Sequence, residues 1–262
     1  MSRIRMQFLG GFDVFENDGS RLHLPSRNAT AVLAILCVGR ERMCSRAKLA
    51  AQIWDVWDPE HARASLRQSL FMLRHLVGRD VFRCQGDAIA LDPSVVEADI
   101  WEFEDLAARH SPDSLLRAVE LYQGEFLRGY TPGKGFAFEE WLDGERNRMR
   151  EAALRVLGRA LDHAFAIGTM DGARQAALRM VAIDPAEEIG HRALMRIYAA
   201  ERRFGLALRQ FELCRKMLET ELGVEPDAET RALRTDIVHR RSHLRPLPVA
   251  IPDRPVAAGC AA

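Results

Sequence analysis

The 262-residue chain carries 37 Lys and Arg against 37 Asp and Glu, with 48% apolar and 28% charged residues. That balance is ordinary for globular domains and excludes wholesale disorder, and no run approaches the ~18 apolar residues of a membrane span. At this length two domains are expected, because single cores stop growing at about 250–300 residues.

The first 25 residues read as short strands. Ile4–Leu9 alternates, Gly10-Gly11 interrupts, Phe12–Phe15 resumes, and Asn17–Ser20 is a turn signal before Arg21–Leu24. A small antiparallel sheet is expected. Ser26 caps a first helix with Ala29, Val32, Leu33, Leu36 and Cys37 at helical spacing, and Gly39 ends it. Ser45 caps a second, with Leu49, Ala50, Ile53 and Trp54 on its apolar face. Asp58-Pro59-Glu60 opens a third that runs to about Val77 and stops at Gly78. Val81–Cys84 and Ala88–Leu91, joined at Gln85-Gly86-Asp87, predict a hairpin. Sheet, three helices, hairpin is the order of a sheet-first winged helix, with the third helix for the major groove and the hairpin as its wing.

Advancing 100° per residue along the third helix places Ala62, Leu66, Leu70, Leu73 and Val77 on one buried stripe. Arg63, Arg67 and Arg74 line its flank, while Ala64, Gln68, Phe71 and His75 face outward with Met72 beyond them. His61–Arg79 holds four arginines, two histidines and no acid. Arginine suits phosphate contact or bidentate reading of guanine, glutamine suits adenine, and Phe71 suits a thymine methyl. The same face also fits a solvated basic helix or a protein contact. Charge is divided weakly along the chain: residues 1–95 hold 13 basic against 10 acidic side chains, the remainder 24 against 27.

From Ala98 onward the chain reads as helix, over about 99–110, 112–123, 137–167, 171–183, 186–202, 205–222 and 227–241. A 34-residue offset aligns Ala164 with Tyr198, Ala173 with Ala207 and Ala177 with Phe211, as in tetratricopeptide-like helix pairs. The tail from Ser242, with Pro246, Pro248, Pro252 and Pro255, is expected to be disordered. The fold class is therefore mainly α. It comprises a winged-helix DNA-binding domain (1–95), an all-α tetratricopeptide-like domain (96–241) and a Pro-rich tail (242–262).

Several segments resemble the Streptomyces antibiotic regulatory protein (SARP) type of transcription regulator. In that family an OmpR-like winged helix precedes a bacterial transcriptional activator domain (BTAD). The resemblance runs from about residue 3 to 236, through IRMQFLGGFDVF, ARASLRQSLFMLRHLVG, LYQGEFLRGY, FEEWLDGERNRMREAAL with Trp141, Glu145 and Arg146, and ELGVEPDAETRAL. It implies promoter binding and activation by a homodimer on double-stranded DNA. The recognition helix maps to Ala62–Val77 and the wing to Val81–Leu91, which carries Arg83. The family's phosphate contacts map to Arg27, Arg46 and Lys48, and Asp55–Glu60 matches the loop that related regulators present to RNA polymerase. One departure falls on the DNA-facing surface. Phe71-Met72 and His75 stand where the family usually carries a polar pair and a further arginine, so two arginines are missing.

No catalytic, metal or cofactor site is expected. Gly129–Gly135 is one residue short of a phosphate loop, lacks its Ser/Thr and follows no apolar strand. The histidines do not cluster with Asp, Glu or Cys, and Cys37, Cys44, Cys84, Cys214 and Cys260 are scattered without a Cys-x-x-Cys pair. Reduced thiols and a cytoplasmic location without a membrane partner are expected. The rival reading is a module that has lost DNA, uses Phe71-Met72 as an apolar contact and holds a partner in its helical domain.

Overall fold

The computed structural model describes residues 3–40, 42–109, 111–133 and 135–243. It is mainly helical, with small sheets at the N-terminal end, as the sequence leads one to expect. The chain forms two compact units, Met1–Ile183 and a second from Asp184 onward.

In the first unit, β1 (Ile4–Gln7), β2 (Asp13–Phe15) and β3 (Arg21–Leu22) form an antiparallel meander. α1 (Arg27–Val38) follows, capped by the Ser26 hydroxyl, which accepts from the Ala29 N–H at 3.2 Å. β4 (Cys44–Ser45) leads into α2 (Arg46–Ile53), where the Ser45 hydroxyl accepts from the Lys48 N–H at 3.1 Å. α3 (Pro59–Val77) is capped by Asp58, whose carboxylate takes the Glu60 and His61 N–H groups. Its buried residues are the expected stripe, Ala62, Leu66, Leu70, Leu73 and Val77, together with Ser69. The wing is β5 (Phe82–Gln85) and β6 (Ala88–Leu91), turning at Gly86 with φ +58°.

Two strands are additions to the expected set. β4 pairs with β6, so the start of α2 is fastened to the wing in a sheet of order β4-β6-β5. β7 (Val96–Ala98) lies parallel to β1, giving the order β3-β2-β1-β7. The N-terminal sheet is therefore not purely antiparallel, and it spans the division expected after residue 95. The Asp99 carboxylate clamps this junction by accepting the Phe8 and Leu9 N–H groups at 2.8–2.9 Å.

α4 (Asp99–Ala108), α5 (Pro112–Leu121), α6 (Ala137–Ala166) and α7 (Met170–Ile183) complete the unit. The segment between α5 and α6 returns to β1. Leu127 donates to the Phe8 carbonyl at 2.8 Å, Gly10 to Glu125 at 3.1 Å, and Phe126 stacks on Phe8 with ring centroids 5.8 Å apart. Gly10, at φ +102°, has no room for a Cβ, which would lie 2.8 Å from the Gln123 backbone. Arg146 holds the loop by donating to the carbonyls of Phe126, Leu127 and Tyr130. This is the structural work of the YQGEFLRGY segment and of Arg146.

The second unit holds α8 (Glu188–Ala200), α9 (Phe204–Leu222) and α10 (Ala228–His243) around Met195, Phe204, Ala207, Phe211 and Ile237. Gly223, left-handed at φ +66°, ends α9. Asp227 then caps α10 through the Thr230 N–H at 2.7 Å and binds the buried Arg192 at 2.9 Å. The ELGVEPDAETRAL segment is thus a helix stop, a restart and an ionic anchor. Of the repeat columns, Ala164, Ala173, Ala177, Ala207 and Phe211 are buried, and Tyr198 is half-buried. The tail expected from residue 242 begins inside α10, and its remainder lies outside the described residues.

Candidate nucleic-acid interface

The third helix owes its two faces to its own sequence. Six residues turn inward, and what remains for the outer face is basic or polar. Arg63, Arg67, Gln68 and His75 are exposed, Phe71 is 60% exposed, and Arg74 and Met72 are half-buried. Met72 therefore sits lower on the helix than the outward position expected for it.

Five of the ten expected contact residues converge. Arg46, Arg63, Arg67, Phe71 and Arg74 line one groove of about 720 Å³ between α2, α3 and the wing, floored by Leu66 and Leu70. Four guanidinium groups face it against the single carboxylate of Asp87. Among the described residues, Arg63 and Arg67 form no ion pair, whereas Arg40, Arg117, Arg148 and Arg192 are each paired with a carboxylate. Cations left unpaired on one face favour a polyanion there.

The wing holds two of these arginines in place. The Cys84 sulfur on β5 accepts from Arg74 Nη2 at 3.3 Å and from Arg46 Nη2 at 3.6 Å, and Arg46 also donates to the Gly86 carbonyl at 3.3 Å. Arg74 lies over the Phe82 ring at 6.0 Å. A shallower concavity of Phe71, Arg74, His75, Arg79, Phe82 and Cys84 continues along the wing, with the Phe71 and His75 rings 4.4 Å apart. Cys84, Arg79 and Phe82 are absent from the sequence-derived set. The hairpin register carries Cys84 opposite Ile89, which does not by itself direct it toward Arg46 and Arg74.

The other expected residues stand apart from the groove lining. Arg27, Lys48, Gln68 and Arg83 are exposed, on α1, α2, α3 and β5 in turn. The Arg27 carbonyl accepts from the Tyr130 hydroxyl at 3.0 Å, which ties the start of α1 to the segment before α6.

A separate apolar pocket of about 260 Å³ lies between α5, α6 and α7. It shares no lining residue with the arginine groove, and one guanidinium nitrogen of its Arg179 is already committed to the Tyr122 carbonyl at 2.6 Å. Among the described residues no three His, Cys, Asp or Glu are grouped to hold a metal, and no helix is long and apolar enough to cross a membrane.

Comparison with known proteins places these features. The family model described as "Bacterial transcriptional activator domain" matches residues 96–238. Regulatory protein AfsR of Streptomyces coelicolor is 26% identical over 252 residues, 92% of this chain and 25% of that protein. Its counterpart from Streptomyces griseus is 26% identical over 225 residues, 82% of this chain and 22% of that one. The chain thus spans about a quarter of the length of the curated relatives it matches. The solved structure of Mycobacterium tuberculosis EmbR in complex with a low affinity phosphopeptide superposes with a TM-score of 0.70 at 21% identity. That match covers 92% of this chain and 66% of EmbR, and it is a likeness of fold.

Proposed function

We propose, for a chain that belongs to the bacterial transcriptional activator domain family, a role as a non-enzymatic, cytoplasmic transcription regulator that binds double-stranded DNA through α3 and the wing. The groove with four arginines, two of them unpaired, is the observation that carries this reading. Arg46, Arg63, Arg67 and Arg74 neutralise phosphates, with Arg27, Lys48 and Arg83 as outlying contacts. Gln68, Phe71 and His75 face the base edges, where Phe71 meets a thymine methyl. The chain acts as a homodimer on repeated half-sites, and Asp55–Glu60 meets RNA polymerase. The domain division at 95 and 96 describes function in this reading, even though a sheet crosses it.

Fluorescence anisotropy with genomic fragments and random DNA tests the reading. Each phosphate contact contributes about 0.9 to the slope of log affinity against log salt, so Arg63→Ala with Arg67→Ala should lower that slope by about 2. A chain that prefers no fragment over random DNA, or a double variant with an unchanged slope, refutes it. The exposure of Phe71 favours a second reading, in which this face binds protein. A stable partner lost in Phe71→Ala, together with no DNA affinity, would establish that alternative.

A further inference from the structure

The α2–α3 loop is fastened to the start of α6 by one side chain. Asp55 Oδ2 accepts the Phe136 N–H at 2.8 Å and the Ala137 N–H at 2.9 Å. α6 has no side-chain cap of its own, so Asp55 supplies it from 81 residues upstream. Those two hydrogen bonds hold the Asp55 carboxyl below the usual carboxylate range. Gly135, at φ +151°, lies so close that a Cβ there would collide with Asp55. The joint therefore has a fixed geometry.

Three large apolar side chains are left in water on either side of it. Val56 is 52% exposed, Trp57 45% and Phe136 80%. Acids flank them along the chain: Asp58 and Glu60 where the loop meets α3, and the exposed Glu139 and Glu140 in the first turn of α6, whereas Asp143 and Glu145 farther along are already paired with Arg146 and Arg148. Exposed aromatic residues in a polar rim mark sites of protein contact, and tryptophan is among the residues that dominate such contacts.

We propose that Val56, Trp57 and Phe136 form one docking surface, joined by Asp55, for a basic segment of the polymerase that carries apolar side chains. This rests on the reading that the α2–α3 loop meets RNA polymerase. It adds to that reading a contribution from α6 and the chemistry of the element received. Trp57 and Phe136 provide the apolar floor. Glu60, Glu139 and Glu140 attract the flanking cations, which speeds encounter and sets orientation.

The test uses the full chain on a sensor surface and purified RNA polymerase holoenzyme from Streptomyces coelicolor as the probe. Trp57→Ala and Phe136→Ala should each weaken capture at least about tenfold. Glu139→Gln with Glu140→Gln should weaken it at low salt and flatten its salt dependence. DNA affinity and far-ultraviolet circular dichroism should stay unchanged in all of them, since every altered side chain is exposed. Loss of capture in Trp57→Ala with full capture in Phe136→Ala overturns the composite surface and leaves the loop reading standing. Capture that neither substitution alters, or none by the unaltered chain, overturns both. Salt dependence that survives the glutamine variant overturns the assignment of a basic partner segment.

Discussion

Raising the pH from about 4 to 7 should weaken the first unit through one carboxyl, that of Asp99. Its side chain lies under the end of β1, where removal from water outweighs three backbone N–H groups that favour the charged form, and its pKa rises from 3.8 to about 6. Between those values the folded chain holds a proton that the unfolded chain has released. Stability from this group is thus complete below 3.8, fades as pH rises, and is gone above about 6. At about 1.4 kcal/mol per pH unit the loss is about 2–3 kcal/mol, the lower figure allowing for the part of the side chain that water reaches. All four tryptophans, Trp54, Trp57, Trp101 and Trp141, lie in this unit, so urea titrations followed by tryptophan emission report on it alone. The informative quantity is the difference between the unaltered chain and Asp99→Asn, because the other carboxyls cancel. The substituted amide resembles the protonated carboxyl in offering one carbonyl oxygen to these N–H groups, so the two proteins should lie within about 1 kcal/mol of each other near pH 4. They should then diverge as pH rises, with Asp99→Asn the more stable near pH 7. A difference that stays constant from about pH 4 to 7 refutes the reasoning.

Three further outcomes follow from the geometry. Gly10→Ala sets a β-carbon against the Gln123 backbone at a φ that L-residues avoid; it should cost about 2–4 kcal/mol in the same emission assay. Arg192→Ala leaves Asp227 and Glu188 without their buried cation; it should destabilise the second unit by about 1–3 kcal/mol. Circular dichroism should show that loss while the emission midpoint stays put. Phe71→Arg restores a cation at the groove and should steepen the salt slope of DNA binding by about one, measured by anisotropy.

The helices were legible because their periodicity is local. From α4 to α10 the expected spans agree with the structure within two or three residues, and every residue of the expected inward stripe of α3 is buried, with Ser69 added to it. β7 and β4 were not legible. Strands of three and two residues carry no period, and β7 exists because Val96 meets Ile4, a partner far away in sequence. The break at Gly10 could be read, but its cause, the approach of Gln123, could not. The arginine line was visible in the α3 sequence. That Cys84 would hold Arg46 and Arg74 together depends on the wing folding back over both, which spacing along the chain does not encode.

The parallel pairing of β1 with β7 also sets an order of events during synthesis. The groups that complete β1 on that side arrive late: the Asp99 carboxylate that clasps Phe8 is made 91 residues after it. Until then β1 has β2 on one side and nothing on the other, and an unpaired strand edge invites association with other chains. α3 and the β5–β6 hairpin are thus translated before the N-terminal sheet can be finished. A chain ending at residue 95 would hold every expected DNA contact and yet lack β7 and the Asp99 clasp.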